Sequence, residues 1–186
     1  MISQQEVLTF VIECLETSGI QYMVVGSFAS NIHGTPRATQ DADLVVETDH
    51  QGVSKLESAL GQAFYFPIGL AIDAVQRRGM FNVIHIESGF KVDLIVRKDR
   101  PYSKIEFERR QRLTFAGRSC WYSSPEDTIL TKLEWSRLAE SERQFMDALG
   151  VARVAVRSLD VSYLKHWGAE INVSELLDKL LAHLDS

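Results

Sequence analysis

Cysteine is scarce: Cys14 and Cys120 are the only two in the chain, and they lie far apart. Their number and separation argue against a disulfide framework, and the CxxC spacing of a zinc site is absent, so both read as core thiols. No apolar run approaches the roughly 18 to 20 residues that span a bilayer, and MISQQEVLTFVIECLE has no basic segment ahead of an apolar one. A cytoplasmic protein with no membrane partner is the expectation. Positive charge is also in deficit, with a net charge of −5, which argues against general affinity for a polyanion. Only between Arg97 and Arg118 does the balance reverse, with eight basic residues against three acidic ones. Such a run attracts phosphate-bearing substrates or forms an ordinary solvated helix face. Internal repeats and low-complexity linkers are missing.

What remains is a chain of 186 residues, 45% apolar and 24% charged, enough to bury a core without staples. Val7, Phe10, Val11, Cys14 and Leu15 recur at helical spacing and predict an amphipathic opening helix ending near Gly19. Gln21 to Val25 predicts a strand that runs into Gly26-Ser27, then a short helix closed by His33-Gly34. Pro36 breaks the chain, and Asp41 to Val46 alternates Ala42, Leu44 and Val46 with Asp41, Asp43 and Val45. A helix over about Val53 to Ala63 follows. Met80 to Ile86 and Phe90 to Val96 read as a hairpin around Glu87-Ser88-Gly89, and Leu113 to Tyr122 as one further strand. At Ser124-Pro125-Glu126 the pattern becomes helical, with Ser124 as N-cap and Pro125 at the first helical position, and it stays helical to the end. An α+β fold results, a mixed sheet flanked by helices over 1–122 followed by a C-terminal helical bundle over 123–186.

The chemistry concentrates in GSFASNIHGTPRATQDADLVV. Residues two apart on a strand point the same way, about 6.5 to 7 Å apart, so Asp41 and Asp43 share a face. Two converging carboxylates repel unless a cation sits between them, and hard oxygen ligands suit Mg²⁺. A pair of such ions would clamp the attacking and leaving oxygens of an in-line phosphoryl or nucleotidyl displacement. Asp93, inside the apolar strand KVDLIV, supplies a third carboxylate for metal or for the acceptor's proton, although a solitary surface aspartate would read the same. Gly26 allows close backbone approach to a phosphate, and Ser27 adds a hydroxyl at a helix start, a weak signal on its own.

These residues resemble the nucleotidyltransferase superfamily, whose hallmark is an apolar residue, Gly-Gly or Gly-Ser, a spacer of about ten, and Asp-x-Asp. Here it reads VVGS, a spacer, and DADL. With His33-Gly34, Arg37-x-Thr39 and SPEDTILTKLEW, the chain looks more narrowly like the AbiEii-type toxins and related polymerase beta-like minimal nucleotidyltransferases, although Ser27 stands where that group commonly has a second glycine. The resemblance implies an enzyme that moves a nucleoside monophosphate from an NTP to an acceptor hydroxyl on an RNA end such as tRNA, a protein or a small molecule. Two Mg²⁺ ions would bind Asp41, Asp43 and Asp93, with Gly26, Ser27, Arg37 and Lys132 on the nucleotide and a cognate antitoxin as partner.

Each secondary residue keeps a plainer reading. Lys132 is a phosphate ligand or a charge on a solvated helix face, and Arg37 a triphosphate ligand or the partner of Asp41 in a local ion pair. His33 serves a helix C-terminus as a cation, or catalysis. Asp147 orients Lys132 or lies on the surface, and Trp121, Tyr122 and Trp135 stack a base or fill the core. Non-catalytic binding of a nucleotide or partner protein, and metal-dependent phosphohydrolysis, are the competing functions.

Overall fold

The computed structural model describes residues 2–184. Along the chain run α1 (Gln4–Thr17), β1 (Gln21–Val25), α2 (Gly26–His33), β2 (Asp41–Glu47), α3 (His50–Leu60), β3 (Phe64–Tyr65), α4 (Ile68–Arg77), β4 (Met80–His85), β5 (Lys91–Val96), α5 (Pro101–Glu108), β6 (Gln111–Phe115) and β7 (Arg118–Tyr122). The helices α6 (Pro125–Ala139), α7 (Glu142–Ala155), α8 (Val161–Glu170) and α9 (Ser174–Ala182) complete it. No helix among the described residues is long and apolar enough to cross a membrane.

Helix starts are written in local chemistry. Ser3 accepts from the Glu6 amide while Glu6 accepts from the Ser3 amide, a reciprocal cap on α1. Asp49 caps α3 through the Gly52 amide at 2.8 Å, and Ser124 caps α6 through the Asp127 amide at 3.1 Å, with Pro125 at the first turn as its sequence predicts.

Two compact units result. The first takes in the chain up to Val24 and Thr39–Tyr122 and holds the sheet, in the order β3-β4-β5-β2-β1-β7-β6. It is mixed: β2 runs parallel to β5 and β1 to β7, whereas β4 lies antiparallel to β3 and β5, and β6 to β7. Val7, Leu8, Val11, Ile12 and Leu15 of α1 are fully buried, as are Leu44, Val46 and Leu94 of the sheet. The second unit, Val25–Ala38 with Ser123 onward, gathers α2 with α6 to α9. Val25–Ala38 thus groups with the C-terminal helices, where a single cut at 122 leaves it with the sheet.

Two expectations change. Leu113 to Tyr122 is not one strand but the hairpin β6-β7, turned at Ala116 and Gly117, both at positive φ. That is the primed turn a two-residue hairpin needs, here spelled Ala-Gly instead of Asn-Gly. The basic run from Arg97 to Arg118 is not one helix face, since it spans α5, β6 and β7, and most of its charges have intramolecular partners. Arg97 pairs with Glu47 and Arg118 with Glu13 and Glu16. Arg110 lies over the Phe107 ring at 4.3 Å and over Trp121 at 5.0 Å, with Arg112 over Trp121 at 5.1 Å.

Candidate active site

Register assembles the acidic row. Asp41 pairs with Lys91 and Asp43 with Asp93 along the parallel strands β2 and β5, and Asn82 of β4 pairs with Asp93 from the other side. Paired residues share a face, so Asp41, Asp43, Lys91, Asp93 and Asn82 project from one side of the sheet. Ala42, Leu44 and Val46 are buried on the opposite side, as the alternation predicts. All three predicted carboxylates therefore lie on adjacent strands of one face, and Asp93, 6% exposed, is the most buried of them.

A fourth charged residue stands among them. The Lys91 ammonium donates to Asp93 Oδ2 at 2.7 Å and lies 4.0 Å from Asp41 Oδ2. The hydrogen bond to Asp93 raises the Lys91 pKa against the opposing cost of burial, helped by the charges of Asp93, Asp41 and Asp43. Asp93 Oδ1 is buried and has no hydrogen-bond partner, an orphan of the kind that costs about 1–3 kcal/mol unless a ligand or proton answers it. Thr39 donates to the Asp41 backbone carbonyl at 3.0 Å. Among the described residues, no three histidine, cysteine, aspartate or glutamate side chains are grouped so as to hold a metal ion by themselves, so Asp41, Asp43 and Asp93 share a face without closing into a three-carboxylate site.

The second unit carries the cationic cluster, and the spelling of GSFASNIHGTPR accounts for it. Gly26 opens α2 at φ +62°, a conformation that favours glycine. Asn31 clamps the Arg37 backbone from both sides, donating to its carbonyl at 2.7 Å and accepting from its amide at 3.0 Å. Arg37 then reaches Asp147 of α7 through two parallel bonds, Nε to Oδ1 at 2.9 Å and an Nη to Oδ2 at 2.8 Å. The same Nη donates to Ser27 Oγ at 2.9 Å, leaving the Ser27 proton as a donor. Lys132 donates to Asp147 Oδ2 at 2.9 Å. Burial pushes the Asp147 carboxyl up, but the hydrogen bonds from Arg37 and Lys132 outweigh it and hold the group below its usual range. One carboxylate thus carries two cations, a local excess of positive charge beside Ser27.

Several plainer readings fail on this geometry. Lys132 is 4% exposed, in the buried row Thr128, Lys132, Ser136 of α6, so it is on no solvated face. Arg37 pairs with Asp147, 110 residues away. His33 accompanies the end of α2, where burial lowers its pKa against the raising effects of the Ser123 carbonyl and Glu126, a trend away from the cationic form, and its Nε2 lies 2.7 Å from the Ser123 carbonyl oxygen. Tyr122 is core, Trp121 is flanked by guanidiniums, and Trp135 is 52% exposed. Glu126 and Asp127 of SPED brace the helices, accepting from the Asp160 amide at 3.1 Å and the Tyr163 hydroxyl at 2.6 Å.

Gly34 explains the His-Gly pair. A Cβ there would lie 2.9 Å from the Val151 amide nitrogen and 3.0 Å from the Gly150 carbonyl carbon. The bare glycine lets the loop press on the α7 backbone one turn beyond Asp147. We expect Gly34→Ala to lower stability by about 1–3 kcal/mol, read by urea denaturation, and an unchanged midpoint would refute the close approach.

Lys91, Asn82 and Asn31 were not foreseen. For Lys91 the signal was present, since it stands two residues before Asp93 on the same strand; Asn82 and Asn31 depend on pairings that no local spacing announces.

No family model matches the chain, and no curated protein matches it. Solved structures do. The solution structure of the antibiotic-resistance factor ANT(2'')-Ia matches with a TM-score of 0.58 at 12% identity, over 98% of this chain and 95% of that one. Its crystal structure in complex with adenylyl-2''-tobramycin matches at 0.58 and 14% identity, over 92% and 98%. An antigenic nucleotidyltransferase-like protein from Paracoccidioides brasiliensis matches at 0.51 and 18%, over 80% and 74%. At such identities the likeness is one of architecture, and the α+β chain described above has a nucleotidyltransferase-like fold.

Proposed function

We propose that the chain is a Mg²⁺-dependent nucleotidyltransferase that moves a nucleoside monophosphate from an NTP to an acceptor hydroxyl. The observation that carries this reading is the row Asp41, Asp43, Asp93, in register on one sheet face, with Asp93 Oδ1 buried and unpartnered. The donor set is all carboxylate oxygen, which suits Mg²⁺. That ion takes only one or two protein carboxylates and fills its shell with water and substrate phosphate, so a closed protein cage is not required. Asp41, Asp43 and Asp93 would hold it, and bound there it would supply charge neutralisation to the reacting phosphate.

The chain's own residues supply the rest. Asp93 Oδ1 accepts the proton of the acceptor hydroxyl as its oxygen bonds to the α-phosphorus; the bond from that phosphorus to the bridging oxygen breaks, and pyrophosphate leaves with the electron pair. Arg37, with the Ser27 hydroxyl and the Gly26 turn, binds the phosphate chain. Lys132 neutralises Asp147, so that the Arg37 charge serves the nucleotide. Catalysis is then positioning and electrostatics with no covalent enzyme intermediate.

The acceptor class is an RNA end, a protein or a small molecule, and the tobramycin adduct bound by ANT(2'')-Ia supports including the last. The narrower likeness to AbiEii-type toxins, and with it a cognate antitoxin, rests on the sequence motifs GSFASNIHGTPR and SPEDTILTKLEW. A binding-only relative is the second reading, favoured by one observation: the Lys91 ammonium already occupies part of the carboxylate row, bonded to Asp93 Oδ2. The pure protein incubated with Mg²⁺ and each α-labelled NTP, beside total RNA, cell lysate and aminoglycosides, decides between them. Transfer of label supports the enzyme; nucleotide bound with nothing labelled favours the second reading; phosphate release without an acceptor indicates hydrolysis.

A further inference from the structure

We propose that Lys91 is the built-in counter-ion of the carboxylate row and the competitor of the metal: its ammonium holds Asp93 and Asp41 together until a divalent cation displaces it. The inference rests on the metal reading above and adds a residue which that reading does not use.

The geometry leads there directly. Three carboxylates on neighbouring strand positions repel, and a folded chain without a cation must relieve that repulsion somehow. In this structure the relief is covalently attached. Lys91 stands opposite Asp41 and two residues before Asp93, so its side chain leaves the same face. Its ammonium bonds Asp93 Oδ2 at 2.7 Å and lies 4.0 Å from Asp41 Oδ2, between two groups a divalent ion would share. Two positive centres cannot both occupy that gap.

Displacement is mechanically simple. The Lys91 side chain is 38% exposed, and its four-carbon stem can carry the ammonium to solvent without backbone movement. Arginine, with a fork that grips a carboxylate through two bonds, would leave less readily. The exchange has a functional consequence. A single-site ion must outbid the lysine, whereas an ion arriving with a nucleotide brings phosphate oxygens to complete its shell. Lys91 thereby biases the row against bare metal and towards metal carried in by substrate. It acts through the carboxylates, as a positioning residue.

Mn²⁺ binding to the full chain, read from the free-ion electron paramagnetic resonance signal without nucleotide, tests the idea. Lys91→Met keeps the stem and removes the charge, and Lys91→Gln repeats the test with a polar end. Both should tighten Mn²⁺ binding about tenfold while lowering the thermal midpoint of the metal-free protein and enlarging the rise that Mn²⁺ produces. Lys91→Arg should bind no more tightly than the natural chain. If both neutral variants bind Mn²⁺ as the natural chain does, or more weakly, while Asp93→Asn removes binding, the competitor role is overturned and the metal reading stands. If neither the natural chain nor the neutral variants bind Mn²⁺ at millimolar concentration, with or without nucleotide, the metal reading falls and this inference with it.

Discussion

Asp147→Ala is expected to cost about 3–5 kcal/mol of stability. The substitution removes the one carboxylate that Arg37 and Lys132 share and strands the Lys132 ammonium in a site 4% exposed. Deprotonating or hydrating that lysine costs most of what the pair provided. Urea denaturation of the full chain measures the loss. A double variant, Asp147→Leu with Lys132→Met, removes both buried charges and should lose less than Asp147→Ala alone; an equal or greater loss would mean the destabilisation comes from packing. The same carboxylate sets an acid limb. Its folded pKa lies below the unfolded value of about 3.9, so at low pH the unfolded chain binds the extra proton. Its contribution is complete above about pH 4 and disappears as pH falls through the lowered folded value. Asp147→Asn should flatten that limb.

Asp43→Ala should reduce nucleotidyl transfer by about a thousandfold or more while leaving the thermal midpoint nearly in place. Asp43 is half-buried, directly beside Asp93 in register, and on the proposed function its charge would serve the metal and the developing phosphate charge more than the fold. Relief of repulsion with Asp93 offsets whatever contact the carboxylate makes. Label transfer and thermal denaturation on the same preparation separate the two effects. Activity within tenfold of the natural chain would remove Asp43 from the metal site, and a collapse of the midpoint would recast it as a structural residue. Asp93→Asn gives a second arm, because the amide keeps the shape but cannot take a proton at Oδ1.

Much of the sheet was legible beforehand because a half-buried strand writes its own period. Ala42, Leu44 and Val46 against Asp41, Asp43 and Val45 needed nothing beyond alternation, and the SPED cap named itself. Other elements carry little signal: α4 buries only Ala71 and Ala74, and β3 is two residues long. A helix whose buried face is alanine shows no bulky repeat, and a two-residue strand exists only through its partner β4.

Local order along the chain determined that two aspartates leave one strand face, that a glycine turn opens a helix upstream, and that a capped helical half follows. Those are near-neighbour properties, set by a period of two, a period of 3.6 and the hydrogen-bonding reach of short side chains. Tertiary pairing alone decided that Lys91 stands opposite Asp41, that Arg37 finds Asp147, and that Lys132 is buried on the same carboxylate. Charge partners are chosen by distance in space, falling off within a few ångströms in a low-dielectric interior, and a sequence separation of 110 residues carries no trace of that distance.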